Sequence, residues 1–173
     1  MSVLFSLKKE LTPITQATFG GVDENFFDVI TMIDFIEHVC APMSVLAKAS
    51  RLLRPGGQLV ILTPNADSLS RRLMGLRWLH YKVEHLYYFG PRSLTRALRQ
   101  VGLTEVRVGR AWKMMNLHYL AHQFAQYPHP LLSPIVSMAH RLSPSSLRKG
   151  MFPISFGELL ATAAKPPIGQ AGH

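Results

Sequence analysis

From Phe27 to Asn65 the chain sets apolar blocks on either side of an amphipathic stretch. Phe27 to Ile33 is an apolar run with Asp28 near its start, which suits a strand buried on both faces, as in a parallel sheet. Pro42 to Leu53 places Met43, Leu46, Ala47, Ser50 and Leu53 at spacings of three and four. That is one face of an amphipathic helix, with Pro42 suited to its first turn. Pro55, Gly56 and Gly57 stop it. Gln58 to Thr63 is a second apolar run, closed by Pro64. Strand, helix, strand at this length predicts a βαβ unit with a right-handed crossover, and so Val29 and Val60 on neighbouring, like-directed strands. Such units bind ligands outside the carboxyl ends of their strands. Here those ends are Ile33 to His38 and Thr63 to Asp67.

On either side the pattern continues less regularly. Met1 to Glu10 fits a short helix or a strand, and Ile14 to Phe19 alternates as a strand. Ala66 to Met74 predicts a short helix capped by Asn65 or Asp67. Trp78 to Phe89 concentrates aromatic rings and histidines, which suits either the wall of an acceptor pocket or a cover over the sheet edge. Ser93 caps a helix with Leu94, Ala97, Leu98 and Val101 on one face and Gly102 at its end. Leu103 to Val108 alternates as a strand. Trp112 to Tyr127 and Leu131 to Leu142 predict helices, with Pro128 and Pro130 between them. Ile154 to Ala164 predicts a last strand, antiparallel to the one before it. One domain over residues 1–165 and a frayed tail over 166–173 follow.

A hydrophobic content of 47% against 17% charged residues marks a globular chain with a real core. The formal charge of +9 gathers partly between Arg71 and Arg110, which suits a solvated helix face or a surface that meets phosphates or an anionic membrane. Nucleic acid is not the expected partner. Cys40 is the only cysteine, which excludes an internal disulfide and a cysteine-built metal site. Neither a signal peptide nor a membrane-length apolar run is present, so the expected location is the cytoplasm.

The phrases FDVITMIDFIEHV and LLRPGGQLVILTPN resemble the fourth and fifth strand regions of class I S-adenosylmethionine-dependent methyltransferases. EHLYYFGPRSLTRALRQVGL is similar to the loop and helix that follow in many bacterial members. The resemblance covers Thr15 to Lys165 and implies a partial Rossmann-like α/β sheet, mostly parallel with an antiparallel last strand and helices on both faces. It implies S-adenosylmethionine as cofactor, with Thr18 and Phe19 near the adenine and Met32, Ile33 and Asp34 along the rest. It also implies an acceptor lying against Asn65, Glu84, His85, Tyr87 and Tyr88. The family's glycine-rich turn belongs upstream of Thr15, where Met1 to Ile14 holds no glycine, so the domain is expected to be N-terminally incomplete. In the family the opening strand lies beside the fourth; without it, Asp28 to Ile33 becomes an apolar edge. Met1 to Leu7 or a partner chain is expected to cover it, or the chain is a poorly stable truncation product.

Methyl transfer from a sulfonium needs alignment and exclusion of water, and a base only when the acceptor is a hydroxyl or ammonium group. His38 and His85 are the candidates for that base, because both fall near the active edge of the sheet. Asp34, Glu37 and His38 fall at i, i+3 and i+4, which share a face on a helical turn. Together with His85 they resemble the acidic, acidic, histidine set of ubiquinone-pathway O-methyltransferases and of small-RNA 2′-O-methyltransferases, which implies a divalent metal. Asp34 stands where those families have glutamate; we expect no metal, with these four residues as the alternative. His118 and His122 read as exposed helix histidines. The expected function is methyl transfer to a small-molecule, sugar or lipid-linked acceptor. The alternative is a non-catalytic methyltransferase-like module that docks on a partner chain or an anionic surface.

Overall fold

The computed structural model describes the backbone of residues 2–7, 10–14, 23–155 and 157–167, and the side chains of residues 23–155 and 157–167. In chain order the strands are Ser2–Leu7 (β1), Glu10–Ile14 (β2), Phe27–Ile33 (β3), Leu53–Pro64 (β4), Thr104–Arg110 (β5), Lys113–Met115 (β6), Phe152–Ile154 (β7) and Glu158–Ala164 (β8). The α-helices are Pro42–Leu52 (α1), Leu69–Met74 (α2), Pro91–Gln100 (α3), Leu117–Gln126 (α4), Leu132–Leu142 (α5) and Ser145–Lys149 (α6).

The main sheet runs β2-β1-β3-β4-β8-β5. β3 and β4 are parallel neighbours, with Val29 opposite Gln58 and Thr31 opposite Val60. The expected βαβ unit therefore lies at the centre of the sheet. β8 is antiparallel to both β4 and β5, so it sits between two like-directed strands. On the other side β1 pairs antiparallel with β3, from Ser2 opposite Ile33 to Ser6 opposite Val29. Ser2–Leu7 thus occupies the edge for which a partner chain was the alternative.

One face of the sheet centre is fully buried, while Val29 and Thr31 of β3 and Val60 and Leu62 of β4, on the other face, are only half-buried, so Phe27–Ile33 is not buried on both faces as its apolar run predicts. Ile30, Met32, Leu59 and Ile61 are buried together with Leu46, Ala49 and Leu52 of α1 and Leu94 and Leu98 of α3. The buried face of α1 therefore runs through Leu46, Ala49 and Leu52, while Met43 stays exposed. A second cluster joins Met74, Trp78, Leu79 and Phe124, with Leu132 and Val136 packed against it. It fixes α4 and α5 over the loop that follows α2.

Several boundaries differ from the sequence reading. β4 begins at Leu53, so Pro55, Gly56 and Gly57 belong to a bulged strand start, where the register slips between Phe27 and Val29. At Gly57 a Cβ would stand 2.9 Å from the carbonyl oxygens of both Arg54 and Phe27, so the chains approach too closely for any side chain. Ser68, rather than Asn65 or Asp67, caps α2: its Oγ accepts from the Arg71 N–H. Asn65 instead accepts from the Asp67 N–H in a local turn. Ser93 lies within α3, not before it, and its Oγ accepts from the Gly90 N–H. Lys113–Met115, read as helix, is a strand paired with Phe152–Ile154. Ile154 to Ala164 accordingly divides between β7 and β8.

Candidate active site

β3 and β4 end side by side, and the chain leaves them in two sharp turns. Asp34 takes φ of +47°, in the left-handed region, and turns the backbone out of β3. A single 3-10 turn, Ile36–His38, follows. Asp34 lies before that turn, so it does not share a face with Glu37 and His38 as the helical spacing implied. Its carboxylate meets Lys113 Nζ at 3.1 Å instead.

Glu37 is 1% exposed. Its Oε2 accepts from the Thr63 hydroxyl at 2.9 Å, at the end of β4, and its buried Oε1 has no partner among the described residues. Burial lifts the Glu37 carboxyl above the usual range, against the pull of its hydrogen bonds. The backbone carbonyl of Glu37 accepts from the N–H groups of Leu86 and Tyr87. That pair of bonds ties the 84–87 loop to the 36–38 turn and brings His85 onto His38. The two rings meet edge to face with centroids 4.5 Å apart. His38 Nδ1 lies 3.0 Å from the Glu84 carbonyl. A carbonyl only accepts, so Nδ1 carries the proton and Nε2 of the neutral ring keeps its lone pair. Burial, then the neighbouring His38 and Lys82, hold His85 below the ordinary histidine range. One ligand atom each from Glu37, His38 and His85 all lie within 4.8 Å of one another.

This cluster borders a cavity of about 860 Å³, a size that suits a nucleoside-type ligand. Ile33, Asp34, Glu84 and His85 line it, and so do residues that the sequence reading did not single out as site residues: His80, Lys113, Asn116, Tyr119 and Glu158. Lys113 Nζ bridges Asp34 and Glu158, at 2.6 Å from the latter. Burial works against the Lys113 ammonium, but its bond to Glu158 and the charges of Glu158 and Asp34 outweigh that and raise its pKa. Glu158 is 3% exposed, and its buried Oε2 has no partner among the described residues. Burial, with Lys113 adding to it, lowers the His80 pKa to about 4.

Other expected site residues lie elsewhere. Met32 is wholly buried in the core. Asn65 lines a separate cavity on the other side of Glu158. Tyr87 donates to the Cys40 carbonyl and Tyr88 to the carbonyls of His80 and Lys82, so both hydroxyls brace the loop. Thr18 and Phe19 lie outside the described residues. His118 and His122 are exposed on α4.

An open α/β sheet with a cavity bordered by Asp34, Glu37, Lys113 and Glu158 at the carboxyl ends of adjacent parallel strands is the arrangement in which α/β proteins hold nucleotide and cofactor ligands. Residues 7–108 match the model of a methyltransferase domain, and the chain belongs to that family. It is 31% identical over 114 residues to a ubiquinone biosynthesis O-methyltransferase of Thiobacillus denitrificans, covering 61% of this chain and 49% of that protein. A protein of the same description from Aeromonas salmonicida is 34% identical over 107 residues, covering 57% of this chain and 42% of that protein. The chain thus spans about half the length of the curated relatives it matches. Among solved structures, an S-adenosylmethionine-dependent methyltransferase from Thermotoga maritima superposes with TM-score 0.52 at 18% identity, over 84% of this chain and 59% of its own. One from Archaeoglobus fulgidus gives 0.53 at 14%, over 86% and 64%. These likenesses establish the fold.

The cofactor implied by this membership is S-adenosylmethionine. The described part of the site suits it. The cavity has the required size, and Glu37 Oε1 and Glu158 Oε2, buried with no partner among the described residues, favour a cationic ligand. Ile33 and Asp34 are the described residues that would hold it.

Proposed function

We propose that this chain takes part in methyl transfer to a hydroxyl group of a small-molecule, sugar or lipid-linked acceptor. The observation that carries this reading is the convergence of Glu37, His38 and His85 beside the cavity. S-adenosylmethionine, when bound, supplies a methyl group activated by its sulfonium. His38 Nε2 and the neutral His85 ring are the groups that take the acceptor proton. Asp34 and Lys113 are joined by an ion pair at the cavity, and α4 borders it with Tyr119 and Leu120. The similarity to ubiquinone biosynthesis O-methyltransferases supports a hydroxyl acceptor. Glu37, His38 and His85 would also hold a divalent cation, whose chemistry would be to lower the pKa of a coordinated hydroxyl.

Calorimetric titration of the 173-residue chain with S-adenosylhomocysteine tests the reading. Saturable heat is expected. No heat at millimolar ligand would favour the non-catalytic binding module instead. Glu37→Gln should leave that heat in place while removing any binding of Mn²⁺.

A further inference from the structure

The helical cap over the cavity turns an apolar stripe to solvent. On α5 and its preceding residue, Leu131, Ile135, Met138 and Leu142 are 71%, 56%, 58% and 78% exposed. At 3.6 residues per turn these four positions fall within an arc of about 60°. The opposite requirement, packing against the protein, is met by other residues of the same helix, Leu132 and Val136, which lie against the Trp78 cluster. The stripe is therefore surplus to the fold. Its electrostatic setting is one-sided: between Glu105 and Glu158 the sequence contains no aspartate or glutamate. Arg141, beside the stripe, and Lys149, on α6, are exposed and form no ion pair among the described residues.

An apolar helical stripe with Arg141 beside it and no carboxylate on its helix complements an anionic lipid surface, in which the helix lies parallel to the plane. A second copy of the chain fits less well, because mirrored pairing would bring the cations of both copies together. We infer that α5 docks this protein onto anionic membranes through Leu131, Ile135, Met138 and Leu142. The inference is independent of the methyl-transfer reading. No described helix is long and apolar enough to cross a membrane, so the contact is peripheral. α4 packs against α5 and lines the cavity, so docking would set the site close to the bilayer.

Sedimentation of the full 173-residue chain with vesicles tests this. Vesicles of phosphatidylcholine with phosphatidylglycerol should bind it at least about tenfold more strongly than phosphatidylcholine alone, with binding weakened by salt. The double variant Ile135→Glu/Met138→Glu should lose about tenfold or more. Because those side chains are exposed, its circular dichroism should match the parent. Arg141→Glu/Lys149→Glu should weaken binding to the anionic vesicles and leave the weak binding to phosphatidylcholine alone unchanged. Absence of binding to anionic vesicles would overturn the inference, as would equal binding by the parent and the Ile135/Met138 variant. A dimer in solution that this variant dissolves would assign the stripe to a second copy instead.

Discussion

His80 gives the account its sharpest energetic consequence. The ring lines the cavity, its buried Nε2 has no partner among the described residues, and burial with the nearby Lys113 charge lowers its pKa from 6.5 to about 4. The folded chain therefore refuses a proton that the unfolded chain accepts once pH falls below 6.5. Stability from this residue is whole above that pH and declines as pH drops toward 4. The distance between the two values bounds the loss at about 3 kcal/mol, and at pH 5 it amounts to about 2 kcal/mol. The raised carboxyls of Glu37 and Glu158 act in the opposite sense: folding favours their protonation, so they return stability as pH falls. A variant isolates the histidine. Urea unfolding of the parent and of His80→Asn at pH 7 and pH 5 should show the parent losing about 2 kcal/mol more than the variant across that interval. Equal losses in the two chains would refute the claim that His80 is held neutral in the folded site.

Other expected outcomes concern the residues around the same cavity and the strand that supports it. Lys113→Met strands the buried Glu158 carboxylate and should lower stability at pH 7 by about 2–3 kcal/mol in urea unfolding, with Lys113→Met/Glu158→Gln recovering much of it. Thr63→Val removes the donor to Glu37 Oε2 and should cost about 1–3 kcal/mol. Gly57→Ala forces a Cβ against two backbone oxygens and should cost about 1–3 kcal/mol by thermal or urea unfolding. Gly56→Ala meets no atoms but must adopt φ of +79°, and should cost about 1 kcal/mol.

The centre of the fold was legible because its signals are local. Two apolar runs and a helical repeat between them specify β3, α1 and β4, and the parallel pairing of Thr31 with Val60 follows from the length of the crossover. Trp78 to Phe89 reads from its rings and histidines as either a pocket wall or a cover over the sheet edge, and it divides between the two: His80, Glu84 and His85 line the cavity, while Tyr87 and Tyr88 brace the loop and Phe89 joins the core. What escaped depends on contacts between distant residues. Lys113 lies 79 positions from Asp34, and its strand forms only by pairing with Phe152–Ile154. The residues just after it, Leu117, Leu120, Ala121 and Phe124, carry a helical spacing that hid the strand. One signal pointed to Glu158: a lone carboxylate that ends an acid-free span and opens an apolar run. Asp34 was misplaced because spacing alone cannot show a left-handed backbone. The turn there takes Asp34 off the face shared by Glu37 and His38.

The most direct test is a crystal structure of the chain grown with S-adenosylhomocysteine. The account predicts ligand density in the cavity beside Ile33 and Asp34, at the carboxyl end of β3, with Glu37, His38 and His85 facing the thioether end. Ligand bound at any other place on the sheet, with this cavity closed or filled by side chains, would contradict it.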